Sequence, residues 1–263
     1  MMAALGPLGV LEIRRSMVLQ ALRDIQAAHG NNAAQVALVV AGKVFDLAAV
    51  GLDDLISPTT GIKPIHYQIA KEGEGDRSRI LDDPEIVAVW NAAPALGYPF
   101  GPIYQLLMLL GLRRDELASI EWSWVDWENR VLNIPKSKGG IPLTIPLSDR
   151  CLSILRAVPR IHRQDTVFGT VTSWSWTKAK LDALSGVTDW VTHDLRRTMR
   201  SGLARLRTDV VVAEMCLGHR QGGIIGVYDR HQYLDERREA LLKWEQFVLG
   251  LVDPASKVVA LRA

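Results

Sequence analysis

Between His193 and Tyr228 the chain reads HDLRRTMRSGLARLRTDVVVAEMCLGHRQGGIIGVY, and four groups suited to phosphate chemistry recur in it at fixed intervals. His193 and Arg196 are three residues apart, so on a helix they share a face. His219 sits just past Leu217-Gly218, and Tyr228 follows nine residues later. Two imidazoles, a guanidinium and a phenol form a set able to break a phosphodiester without a metal. A guanidinium holds phosphate oxygens through paired charge-assisted hydrogen bonds. A phenol can attack the phosphorus and form a covalent intermediate.

This order resembles the catalytic domain of the tyrosine recombinases, the phage integrase family. The family pattern is an early Arg, a hairpin Lys, an H-x-x-R box, an L-G-H box and a Tyr nucleophile. Around Tyr228 the stretch GVYDRHQYLDERREAL also looks like the proteobacterial prophage integrases. Each motif alone is weak, and an isolated Tyr228 is an ordinary half-buried aromatic. The weight lies in the joint order Arg113, Lys138, His193, Arg196, His219 and Tyr228.

Two members of that set are read through the resemblance. G-L-R-R-D-E-L at 111–117 resembles the first arginine box, in which the Arg after Gly-Leu is catalytic. That residue is Arg113, with Arg114 its neighbour and Glu116 the usual acid. In isolation Arg113 would read as a surface partner of Glu116. The family's catalytic Lys lies on a hairpin about eight residues before a Pro, and counting back from Pro146 gives Lys138. Lys136, two residues away, is able to face the same side of a strand and remains the competitor.

The elements that must position these groups follow from periodicity. Val18, Leu22 and Ile25 predict a helix stopped by Gly30, and a second runs from about Asn32 to Val50 with Val36, Val39, Val40 and Phe45 as its apolar side. From Leu81, Asp83 is a candidate cap and Pro84 suits a first turn; Ile86, Val89 and Trp90 form the apolar side. A buried helix is expected near Pro102–Leu110, ended by Gly111. Trp122 to Pro146 reads as strands with a Gly139-Gly140 hairpin turn. Residues 148–163 and about 175–184 read as helices. Packing is the expected role of most of the eight tryptophans. Thr192 is the expected cap of the helix carrying His193 and Arg196, with Leu195, Met199, Leu203 and Leu206 as its buried stripe. Asp209 and Gly218 bracket a short helix, despite three consecutive valines. Tyr228 is expected on a short element between Gly226 and Tyr233. A final helix over Leu234–Leu251 carries Leu241, Trp244, Val248 and Leu251 on one side, which could pack in cis or on a neighbouring subunit.

The fold class expected is mostly α with a small antiparallel sheet. The domain reading is a partial helical core-binding domain at 1–63, a charged, glycine-containing linker at 64–80, a catalytic domain at 81–253 and a tail at 254–263. By the resemblance, the first half of the core-binding domain and any arm-binding domain are missing, so the expectation is a truncated or a reduced chain.

At 48% hydrophobic and 23% charged, the 263 residues describe a globular chain. A net charge of +2 does not announce a nucleic-acid partner, but the arginines are clustered: Arg196, Arg197, Arg200, Arg205 and Arg207 crowd one segment. A local basic surface is what a DNA backbone requires. Cys151 and Cys216 are far apart with no C-x-x-C, which excludes a zinc ribbon and suits a reducing compartment. No uninterrupted apolar run reaches about 18 residues, so no membrane span is expected.

The resemblance implies a metal- and ATP-independent recombinase with no cofactor, acting on double-stranded DNA in the bacterial cytoplasm at the nucleoid. It implies a homotetramer on two duplexes, and a monomer is possible without DNA. Two other readings stay open. One is type IB topoisomerase-like cutting of a single duplex. The other is a DNA-binding remnant without recombination.

Overall fold

A computed structural model describes residues 6–52, 55–68, 78–135, 142–219 and 232–254. The chain divides into two compact units, 1–77 and 78–263.

In the first unit, helix α1 (Arg15–His29) and helix α2 (Asn31–Ala49) pack as a hairpin joined at Gly30, whose φ of 84° suits a residue without a Cβ. Their shared core holds Val18, Ala21, Leu22, Ala34, Ala41 and Phe45, with Tyr67. The apolar side of α2 differs from the expectation. Val36, Val39 and Val40 are all more than half exposed, and only Phe45 of the expected set is buried. The side turned to α1 is the alanine side, because small residues let two helix backbones approach. Among the described residues, α2 is the one helix long and apolar enough, by length and composition alone, to cross a membrane. Gln35, Lys43 and Asp46 interrupt its apolar run. Tyr67, placed in the linker by sequence, is buried in this unit.

The second unit is built around helix α4 (Phe100–Leu110), of which only Phe100, Pro102 and Gln105 are not fully buried. Each large apolar side chain it buries contributes about 1.5–3 kcal/mol. Before it lies α3 (Asp83–Ala92). Its cap is Asp82, not Asp83: the Asp82 carboxylate accepts from the Glu85 N–H, and Glu85 reaches back to the Asp82 N–H, each at 2.9 Å. After α4 comes the short α5 (Arg114–Ala118).

Strands β1 (Val125–Asp126), β2 (Val131–Ile134) and β3 (Leu143–Pro146) form an antiparallel sheet in the order β1-β2-β3, with Leu132 opposite Ile145. Trp122–Trp124 is a 3-10 turn rather than strand. Lys136, Lys138 and the Gly139-Gly140 turn lie outside the described residues.

Helix α6 (Asp149–Ala157) is shorter than the expected 148–163. Val158 precedes Pro159, whose ring disfavours helical geometry in the residue before it. Then follow α7 (Trp174–Ser185), α8 (Thr192–Arg205), α9 (Val210–Cys216) and α10 (Leu234–Val252). Asp209 caps α9, accepting from the Val211 and Val212 N–H groups. Leu241, Trp244 and Val248 of α10 are buried in the same cluster as α4, so this helix packs on its own unit. Trp90, Trp190 and Trp244 are core residues, whereas Trp176 is largely exposed. A mostly helical unit with one small antiparallel sheet agrees with the expected class.

Candidate active site

Two helix C-termini converge on one guanidinium. Arg196 lies in the second turn of α8 and is only 4% exposed. Its Nη1 donates to the carbonyl of Gly111 at 2.7 Å, and its Nη2 donates to the carbonyl of Leu217 at 2.6 Å. Gly111 ends α4 in the left-handed region, and Leu217 ends α9. Terminal carbonyls have no partner within their own helix and carry partial negative charge, so a buried cation is favoured there. Burial, and after it the positive charge of Arg113, push the Arg196 guanidinium down to about 10, so it stays charged at neutral pH. Sequence periodicity placed Arg196 off the buried stripe, facing a ligand. In the structure it is buried, as the stripe residues Leu195, Met199 and Leu203 are.

The same Nη2 lies 2.8 Å from Nε2 of His219. On the other side of that ring, Nδ1 lies 2.5 Å from Oε2 of Glu214. Glu214 is also held through Oε1 by Nε of Arg200, at 2.7 Å. Burial pushes the Glu214 carboxyl upward, but the hydrogen bonds from His219 and Arg200 outweigh it and hold the pKa low. Glu214 was not singled out from the sequence. Its signal was an acid five residues before the histidine of L-G-H.

Arg113 precedes α5 and donates from Nη1 to Glu116 Oε1 at 3.0 Å, while Glu116 Oε2 accepts from the Arg113 backbone N–H. Glu116 is buried, and Arg113 keeps a quarter of its side chain exposed. The ion-pair reading of Arg113 is therefore met, alongside its place beside Arg196.

His193 opens toward solvent in the first turn of α8. Thr192 is not the cap of this helix. Val191 is, and its N–H is satisfied by the buried Asp194 carboxylate at 2.8 Å. Partial burial lowers the His193 pKa below 6.5, and Arg197, Arg196 and Arg113 add to this, with Asp194 opposing.

Arg113 and His193 line one cleft of about 860 Å³. Its wall adds three groups that sequence reasoning did not assign: Arg114 stacked 4.9 Å over Trp174, Trp174 itself, and Lys178, 4.0 Å over Trp190 and paired with Asp182. The structure thus brings Arg113, His193, Arg196 and His219 together around the ends of α4, α8 and α9. Tyr228 and both candidate lysines lie outside the described residues.

The phage integrase family model matches residues 80–234, more than half of the chain. The chain belongs to the phage integrase family. Its second unit carries the family's H-x-x-R and L-G-H boxes on α8 and just after α9. The integrase of Shigella phage Sf6 is 27% identical over 157 residues, covering 55% of this chain and 40% of that protein. The prophage integrase IntS of Escherichia coli K12 matches with the same identity and coverage. The chain therefore spans less than half the length that these integrases have. A lambda integrase (75–356) dimer bound to a COC′ core site superposes with a TM-score of 0.63 at 17% identity, covering 83% of each chain. The fold is that of a tyrosine recombinase catalytic domain.

Proposed function

We propose that this chain cuts and rejoins DNA strands at specific sites through a 3′-phosphotyrosyl intermediate, as a prophage or genomic-island integrase. The observation that supports this reading most is the three-way contact of Arg196. One guanidinium holds the carbonyl of the glycine that opens the first arginine box, the carbonyl inside the L-G-H box and the ring of its histidine.

In this reading Arg113 and Arg196 take the non-bridging phosphate oxygens and stabilise the charge that gathers in the transition state. The Tyr228 phenol attacks phosphorus and its proton passes to His193. A lowered pKa keeps His193 neutral and able to accept it. The bond from phosphorus to the 5′-oxygen breaks, and Lys138, or Lys136 in the alternative register, protonates that oxygen. His219 donates to a phosphate oxygen. The phosphotyrosine retains the bond energy, so a 5′-hydroxyl of another strand reverses the step without ATP. The partner is double-stranded DNA, and the active assembly is a tetramer on two duplexes.

Covalent trapping on a nicked suicide substrate carrying the attachment site tests the reading. Wild type should give a protein–DNA band that survives boiling in SDS, Tyr228→Phe should not, and Tyr233→Phe should. A band that persists in Tyr228→Phe removes the proposed nucleophile. Exchange of strands between two duplexes separates recombination from topoisomerase-like cutting.

A further inference from the structure

We infer that Glu214 is a positioning residue that fixes which nitrogen of His219 faces the scissile phosphate; this rests on the recombinase reading above. His219 lies beyond the end of α9, after Gly218, where no helical hydrogen bond fixes its ring. Two contacts tie it back to Glu214, inside the helix. The His219 backbone N–H donates to the Glu214 carbonyl at 3.1 Å, and Nδ1 meets the Glu214 carboxylate at 2.5 Å.

A carboxylate only accepts, so Nδ1 must carry a proton and donate it. That choice leaves Nε2 as the nitrogen turned to Arg196, 2.8 Å from Nη2. Whatever anion Arg196 takes therefore meets Nε2 and not Nδ1. With the second ring proton present, Nε2 becomes a donor to a phosphate oxygen, and Glu214 supplies the compensating negative charge.

Glu214 is itself braced. Arg200 holds its other oxygen at 2.7 Å from α8, one turn beyond Arg196. Among the described residues, the charged groups that meet His219 are Glu214 on one side and Arg196 on the other, with Arg200 acting through Glu214. The acid, the histidine and both arginines form one chain of contacts, Arg200–Glu214–His219–Arg196, running between α8 and α9. A residue that orients a functional histidine works through its tautomer as much as through its place.

Two measurements test this, and they fail independently of each other. The first needs no DNA: ¹⁵N chemical shifts of the His219 ring in the full chain. Wild type should show Nδ1 protonated. Glu214→Gln keeps one acceptor oxygen and should retain that tautomer, whereas Glu214→Ala should lose it. An unchanged tautomer in Glu214→Ala overturns the inference. Should the alanine variant not fold, a Glu214→Gln protein with the proton on Nε2 alone overturns it equally.

The second is a double-mutant cycle on single-turnover cleavage of the suicide substrate. Glu214→Ala should slow cleavage by about 10- to 100-fold, by analogy with the loss of a partner that orients a metal-bound histidine. Glu214→Gln should recover part of the rate. In a His219→Ala background, Glu214→Ala should cost almost nothing more. Equal losses in both backgrounds mean that Glu214 serves the fold alone, and the inference falls. A wild type that never forms the covalent species, with the expected tautomer pattern intact, removes the recombinase reading while the orientation of His219 stands.

Discussion

Gly202 on α8 and Trp244 on α10 meet so closely that a Cβ at Gly202 would lie 2.1 Å from the indole Cζ3. The ring cannot turn aside freely, because its Nε1–H donates to the Met108 carbonyl at 2.8 Å. Met108 is in the last turn of α4, so the indole satisfies one of that helix's terminal carbonyls. The helix carrying Arg196 is thereby seated on both α4 and α10. Gly202→Ala should destabilise the protein by about 1–3 kcal/mol through overpacking. The urea midpoint checks this, and an unchanged midpoint would mean that the helices separate at no cost.

Arg196→Lys keeps the charge and loses the geometry. An ammonium is a point donor and does not span the Gly111 carbonyl, the Leu217 carbonyl and His219 as a planar guanidinium does. Single-turnover cleavage should fall by about 100-fold or more. A lysine variant within a factor of a few of wild type would make charge alone sufficient.

The His193 pKa is held below 6.5 by partial burial and by Arg197, Arg196 and Arg113, against Asp194. As a base it works only when neutral, so cleavage should fall on the acid side, below pH 6.5. Arg197→Gln removes one of those positive charges and, with it, the ion pair that offsets the Asp194 carboxylate at 2.5 Å. Both changes favour the imidazolium, so the acid limb should move to higher pH. NMR titration of the His193 ring should show the same upward shift; a downward one would contradict the assigned causes.

Burial raises the pKa of the Glu245 carboxyl on α10, against the Ser148 hydrogen bond, Arg150 and Arg130, while Asp149 adds to the rise. A carboxyl whose pKa is raised on folding contributes stability below its unfolded value and loses it as pH rises through the folded value. Glu245→Gln removes that loss. Its stability relative to wild type should increase as pH is raised from about 4.5, read by urea unfolding at several pH values. A difference that shrinks with rising pH would reverse the sign argued here.

What was legible in the sequence follows from what chemistry and backbone sterics impose locally. His193, Arg196 and His219 were singled out because phosphate chemistry restricts the residue types, and Arg113 only through the family resemblance. The ends of α4 and α9 were readable because Gly111 and Asp209 act on their own neighbours. Caps slipped by one residue, Asp82 for Asp83 and Val191 for Thr192, since adjacent residues offer similar signals. The face of α2 was misread because hydropathy favours valine, while close helix packing selected Ala34 and Ala41. The burial of Arg196 was not readable at all. Its partners lie 85 and 21 residues away, and only the tertiary fold brings those carbonyls together.

The like charges of Arg113 and Arg196 give folding and ligand binding a shared term. Their mutual repulsion is part of what pulls the Arg196 pKa down, and the folded state carries it before any substrate arrives. An anion lodged between them relieves it, and the unfolded chain has no such pair to offer. Phosphate or sulfate should therefore act as a folding ligand, stabilising the native state by about 2.7 kcal/mol at one hundred times its Kd and raising the thermal midpoint with concentration. Arg113→Gln should flatten that dependence. By the same linkage, each DNA site that the protein engages would also be a reservoir of its native state.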